Sequence, residues 1–436
     1  MAEKKTLSSS RAELQIGDFK PLYTPGEAKI EADRCLYCED APCIQACPTA
    51  IDIPRFIKRI AQGNLKGSAK VILDANILGY SCARVCPVEV LCAGACVYNP
   101  WNLTPIAIGR LQRFAVESIW DEAGNLFERK PANGKKVALV GGGPASLAAG
   151  AALSLEGYEA TILEKNEHAG GLNTYGVAPY KMQAQDSLKE VELIEALGVT
   201  IKTGVEVGKD ITADALLSDY DAVFLGVGLG EDRALDMGDT PPVGVIGAVA
   251  WIEEMKVSEK LDLKAKEAFV IGGGNTALDV AQELKELGVP EVSLVYRKGE
   301  EQMSGYHHEV KRAKLLGVQI LTNRLPKSVS AENGRLSQIE MAWNSPLGEV
   351  TEVVDADLMV LAVGQLKRGE WFTRFEGVEV DSKGIVQADA NGQTGNPKVF
   401  TGGDCLNGGK EVVNAVAEGK RAAKAIMAYI EGANHG

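Results

Sequence analysis

Apolar positions follow two different periods along this chain, in two different stretches. Before residue 134, Ile53-Pro-Arg-Phe-Ile-Lys-Arg-Ile60 and Ile106-Ala-Ile-Gly-Arg-Leu-Gln-Arg-Phe-Ala-Val116 space apolar residues near the helical repeat and predict helices. A polar linker follows, Glu128-Arg-Lys-Pro-Ala-Asn-Gly-Lys-Lys136, with Pro131 and Gly134 as breakers. Beyond it, short continuous apolar runs alternate with alanine-rich helical stretches.

That second pattern occurs twice. Val137-Ala-Leu-Val-Gly-Gly-Gly-Pro-Ala-Ser-Leu-Ala-Ala-Gly150 is matched by Ala268-Phe-Val-Ile-Gly-Gly-Gly-Asn-Thr-Ala-Leu-Asp-Val-Ala281. Each is followed by a second apolar run, Ala160–Glu164 and Val292–Arg297. Strand, glycine turn, helix and strand make a dinucleotide-binding βαβ unit. Gly141 and Gly272 allow the tight turn, and Gly143 and Gly274 let the backbone approach a pyrophosphate. The helix N-terminus then supplies N–H donors and a positive dipole end. Ser146 and Ala277 take the third position and are small enough for close helix–strand packing. Two further apolar runs end in glycine, Ala222–Gly228 and Leu358–Gly364, and close the halves. Val399–Asp404 puts an acid after a strand, ahead of a helical pattern over Val412–Lys424. The fold class expected is α/β. A helical, cysteine-bearing domain over 1–134 precedes two nested Rossmann-like domains. The FAD domain takes 135–233 and 364–436, and a nicotinamide domain over 234–363 is inserted between.

With 436 residues and a net charge of −13, the chain is long enough for several cores and lacks the basic balance of a nucleic-acid binder. No apolar run approaches membrane length and no secretory h-region is visible, so a cytoplasmic location without membrane association is expected.

Eight of the nine cysteines lie in Cys35–Cys96. A disulfide scaffold suits short secreted chains rather than this one. Zinc also uses Cys-x2-Cys, but usually as two such pairs, whereas Cys35-x2-Cys38-x4-Cys43-x3-Cys47-Pro closes on the Cys-Pro of ferredoxin-type iron–sulfur sites. Two four-iron clusters need eight ligands, and Cys82, Cys86, Cys92 and Cys96 complete eight thiolates. The second strands end differently. Glu164 can accept hydrogen bonds from ribose hydroxyls, whereas Arg297-Lys298 suits a 2′-phosphate, which favours NADPH over NADH. Glu300-Glu301 beside that pair could neutralise it.

These motifs resemble the electron-input part of dihydropyrimidine dehydrogenase, and most of all the separate flavin and iron–sulfur subunit of the bacterial enzymes. The small subunit of glutamate synthase is a close relative. Cys-Leu-Tyr-Cys…Cys-Ile-Gln-Ala-Cys-Pro, Cys-Ala-Arg-Val-Cys-Pro, Ile-Gly-Arg-Leu-Gln-Arg-Phe, Gly-Gly-Gly-Pro-Ala-Ser and Gly-Gly-Asp carry the resemblance. It implies interleaved [4Fe-4S] clusters, one on Cys35, Cys38, Cys43 and Cys96, the other on Cys47, Cys86, Cys92 and Gln112. Cys82 is then left over. Read from the residues alone, Cys82 remains the alternative eighth ligand. The implied FAD positions are Gly141, Gly143, Ala145, Ser146, Glu164, Gly171, Leu172, Lys181, Asp404 and Val412. Those for NAD(P)H are Gly272, Gly274, Asn275, Thr276, Arg297, Lys298, Val363 and Gly364. Lys181 stands where the family often has arginine, and Ser304 stands where the dihydropyrimidine enzyme has a further arginine. No Cys-x-x-Cys lies beyond Cys96 for a disulfide relay. The implied activity is an NAD(P)H-oxidising reductase that passes electrons to a partner. That partner would be a separate flavin-containing, pyrimidine-reducing barrel subunit in a hetero-oligomer. Glutamate synthesis and a scaffold without turnover are the alternatives.

Overall fold

The computed structural model describes residues 6–237, 241–259, 261–345 and 348–433. It divides into two compact units. One comprises Phe19–Thr174, Gln185–Leu229 and Lys367–Gly436, and the other Met1–Asp18, Tyr175–Ala184 and Gly230–Leu366. The helical module therefore shares a unit with the first sheet. Besides Gly230–Leu366, the second unit takes in Met1–Asp18 and Tyr175–Ala184.

In the first unit the helix Pro25–Asp33 starts on a capping box of Thr24 and Glu27. Asp52 caps the helix Ile53–Ala61, which buries Ile53, Phe56, Ile57 and Ile60 along one face. The helix Leu65–Ala75 is capped by Asn64. The short helix Gly79–Val85 and the helix Ile108–Glu117 are buried along almost their whole length.

The first sheet is built from β1 (Lys136–Val140), β2 (Glu159–Glu164), β3 (Thr200–Thr203) and β4 (Ala222–Leu225). In the second unit come β5 (Val245–Gly247), β6 (Glu267–Ile271), β7 (Glu291–Tyr296) and β8 (Gln319–Thr322). An antiparallel three-stranded sheet follows, formed by β9 (Leu325–Glu332), β10 (Arg335–Ser345) and β11 (Gly348–Asp355). The chain re-enters the second parallel sheet as β12 (Leu358–Leu361) and returns to the first as β13 (Val399–Thr401). The two parallel sheets are ordered β13-β4-β1-β2-β3 and β5-β12-β6-β7-β8. All their pairings are parallel, which requires cover on both faces and explains the continuous apolar runs. In each sheet the strand order reverses beside the glycine-bearing strand, β1 or β6, at the switch point where such folds bind ligands.

The first sheet's core joins Val140, Val223, Leu225 and Val399 to Phe372 and Phe375. In the second, Phe269, Val295 and Met359 pack with Ile339 and Met341 of β10, so the antiparallel excursion seals one edge of that core.

Candidate active site

The cysteines fall into two groups. Cys35, Cys38, Cys43 and Cys96 line one cavity, with Ile53, Ile57, Ile106 and Ile108 among its other walls. Burial raises the Cys35 thiol and pushes Cys43 up to about 12, and the charge of neighbouring thiols adds to both. Four thiols lining one apolar recess suit an iron–sulfur cluster, whose irons would hold the thiolate form against that burial.

Cys86, Cys92 and Cys47 form the second group. Cys86 is raised by a hydrogen bond with Cys82, by burial, and by the charges of Cys82, Cys92 and Cys47. Burial and the charge of Cys47 push Cys92 up to about 12. Both candidates for the remaining ligand are anchored on the helix Gly79–Val85. Cys82 lies in it, and its sulfur accepts from Asn76 Nδ2 at 3.0 Å. Gln112 is buried and donates from Nε2 to the Gly79 carbonyl at 2.7 Å, so only its oxygen can ligate.

The first glycine turn is shaped for close backbone approach. Gly141 has φ +90°, and a Cβ there would lie 2.6 Å from the Gly226 carbonyl beyond β4. A Cβ on Gly171 would lie 2.8 Å from Gly143 Cα. The helix Pro144–Leu155 begins at Gly143 without a side-chain cap, as an anion-binding helix end does. Ala145 packs within van der Waals reach of Gly403 and Gly419, which brings the Asp404 turn and the helix Val412–Ala433 to the same place. Ser146 is buried with its hydroxyl unpartnered. Leu172 opens the turn Leu172–Tyr175 and is exposed. Glu164 is buried and already accepts from Gly142 N at 2.6 Å and Asn166 N at 2.7 Å. Burial raises its carboxyl and those two N–H groups oppose the rise. Each carboxylate oxygen has a second lone pair for a ribose hydroxyl. Burial also raises Asp404, against the Lys410 N–H.

The second turn repeats this geometry. A Cβ on Gly272 would lie 2.4 Å from the Ala362 carbonyl, which sets Val363 beside the turn. The helix Asn275–Glu286 is likewise uncapped by any side chain. Asn275 Oδ1 accepts from Tyr306 N at 2.9 Å, and Thr276 is exposed. Gly364 has φ +100° and its carbonyl accepts from Arg233 N. Ser304 sits at the turn, with Oγ 3.4 Å from the Cβ position of Gly274. Arg297 and Lys298 lie just past β7, exposed, and among the described residues neither enters an ion pair. Of the two acids beside them, Glu300 pairs with Lys314 at 2.6 Å instead.

Lys181 sits in a buried ion-pair network. Its ammonium is held between Asp279 at 2.7 Å and Glu309 at 2.9 Å, inside the second unit. Burial alone would lower it, but the two carboxylates outweigh burial and keep it charged. Tyr180 is buried beside it and donates to Asp279 and Glu309. The sequence did not reveal this network, because its members stand 99 and 129 positions apart.

Residues 13–123 match the family described as dihydropyrimidine dehydrogenase domain II, 4Fe-4S cluster, and residues 135–419 match the pyridine nucleotide-disulphide oxidoreductase family. The chain is 36% identical to the NAD-dependent dihydropyrimidine dehydrogenase subunit PreT of Escherichia coli K12, over 96% of this chain and 98% of that one. It is 34% identical to the glutamate synthase [NADPH] small chain of the same strain, over 95% of this chain and 94% of that one. Among solved structures, Mycobacterium tuberculosis FprA in complex with NADPH shares the fold at TM-score 0.57 and 19% identity, over 70% of this chain and 86% of that one. Lactococcus lactis thioredoxin reductase does so at TM-score 0.56 and 21% identity, over 68% of this chain and 99% of that one. The chain belongs to the pyridine nucleotide-disulphide oxidoreductase family, in the branch that adds a dihydropyrimidine dehydrogenase-type 4Fe-4S domain, and is an NAD(P)H-dependent oxidoreductase with FAD and iron–sulfur cofactors.

Proposed function

We propose that this chain is the electron-input subunit of a pyrimidine-reducing enzyme. The observation that carries the reading is the likeness to the dihydropyrimidine dehydrogenase subunit over nearly the full length of both chains. In this reading 1–134 would carry two [4Fe-4S] clusters, 135–233 with 364–436 FAD, and 234–363 the nicotinamide nucleotide. Bound FAD would supply the link between two-electron hydride chemistry at the nicotinamide and one-electron chemistry at the clusters.

The chain's own residues hold and orient these groups. Cys35, Cys38, Cys43 and Cys96 hold one cluster, and Cys47, Cys86, Cys92 and Gln112 the other. The Gly141–Gly143 turn, with Glu164 and Asp404, seats FAD. The Gly272–Gly274 turn seats the nicotinamide nucleotide, and the exposed Arg297 and Lys298 grip a 2′-phosphate, so NADPH is preferred. Cys86→Ser should lose or convert one cluster while Cys82→Ser keeps both, measured by iron content. Equal losses would restore the all-cysteine set.

The partner is a flavin-containing barrel subunit that reduces uracil or thymine. Glutamate synthesis is the second reading, supported by the likeness to the glutamate synthase small chain. The isolated chain should oxidise NADPH with artificial acceptors and leave uracil untouched. Adding the barrel subunit should restore uracil reduction. Uracil reduction by the chain alone would refute the reading. Turnover restored only by a glutamate synthase large subunit, with glutamine and 2-oxoglutarate, would select the second.

A further inference from the structure

Glu190 lies in the helix Ala184–Ala196, is 1% exposed, and points at the start of the helix Gly79–Val85. Its Oε1 accepts from Tyr80 N at 3.0 Å and Ser81 N at 3.1 Å, and its Oε2 accepts from the Ser81 hydroxyl. Ser81 Oγ in turn accepts from Asn173 Nδ2 at 2.9 Å. Asn173 follows Gly170, whose N–H donates to the Gly142 carbonyl in the first glycine turn at 2.7 Å. A buried chain of hydrogen bonds thus runs from that turn to the helix carrying Cys82 and ending at Cys86. Gln112 also reaches this helix through Gly79.

We propose that Glu190 is a positioning residue that clamps this cluster-bearing helix to the flavin-binding segment and so fixes the second cluster for electron transfer. This rests on reading the Gly141–Gly143 turn as the FAD seat. A carboxylate is suited to the task because one group satisfies two first-turn N–H donors and a hydroxyl together. Each electron leaving the flavin is gained by a cluster, with no bond made or broken, so the rate depends on placement.

The test uses the chain purified with both cofactors, as wild type, Glu190→Ala, Glu190→Gln and Ser81→Ala. Glu190→Ala should speed hydrogen exchange at the Tyr80 and Ser81 amides. It should also change the electron paramagnetic resonance signal of one cluster after photoreduction. Reduction of a one-electron acceptor by NADPH should slow at least tenfold, while flavin bleaching by NADPH without acceptor stays as in wild type. Glu190→Gln keeps an acceptor oxygen for both amides and should rescue the signal and most of the rate. Unchanged exchange and an unchanged cluster signal in Glu190→Ala would overturn the proposal. If Glu190→Ala does not fold, Ser81→Ala decides: a slowed acceptor rate supports the clamp, and wild-type behaviour refutes it. A wild type that binds no FAD would instead overturn the underlying functional reading.

Discussion

The sheet of β1–β4 and β13 and the sheet of β5–β8 and β12 share the order of four strands, their parallel direction and a glycine turn at the same switch point, yet they differ at the ends of β2 and β7. Glu164, ending β2, is buried and already engaged by two backbone N–H groups. Arg297 and Lys298, following β7, are exposed, and neither enters an ion pair among the described residues. One scaffold therefore carries a closed acceptor site suited to a permanently held nucleotide and an open cationic site suited to one that comes and goes. The backbone plan sets where a dinucleotide lies, and two or three side chains at one strand end set which one it is and how firmly it is held.

The largest expected effect is at the first turn. Gly141→Val forces a branched side chain onto a backbone at φ +90° and against the Gly226 carbonyl, so the purified protein should contain no FAD by absorbance. Full flavin content would remove the first sheet as the FAD seat. A smaller effect is expected at the open end. Replacing Arg297 and Lys298 with alanine should lower kcat/KM for NADPH roughly tenfold or more, since a charge-assisted contact is worth about 1.5–3 kcal/mol. NADH should be nearly unaffected, and a wild type preferring NADH would contradict the assignment. The smallest effect concerns pH. Burial pushes the Glu190 carboxyl from its ordinary 4.5 up to about 7, so the folded state holds this proton more tightly than the unfolded chain. Stability from this group is present below pH 4.5 and lost as pH rises through 7. Glu190→Gln should flatten that part of the thermal midpoint's pH profile, and an unchanged slope would assign it to another group.

The central strands of both parallel sheets were readable in the sequence, because buried parallel strands give continuous apolar runs and glycine turns are local, whereas the more exposed β3, β5 and β8 were not read. The cysteine spacing likewise announced a cluster module. The antiparallel β9–β11 sheet was not read, since strands such as β9 and β11 are mostly exposed and carry a weak alternation. Glu190 and Ser81 gave no signal either, being 109 positions apart in ordinary helical patterns. The ion pairs of Lys181 with Asp279 and Glu309 gave no signal in the sequence. Glu300, which could have neutralised Arg297 and Lys298, pairs instead with Lys314 fourteen positions on. Local motifs were legible, and pairings between distant charges were not.

The most direct test of the two-site account is anaerobic mixing of cofactor-loaded protein with NADPH, following flavin absorbance in wild type and in Gly272→Val. The account predicts that wild type bleaches. Gly272→Val should retain its full FAD, stay oxidised with NADPH, and bleach normally with dithionite. A Gly272→Val protein that has lost its FAD, or that NADPH bleaches at the wild-type rate, would contradict the assignment of the second sheet to the nicotinamide nucleotide.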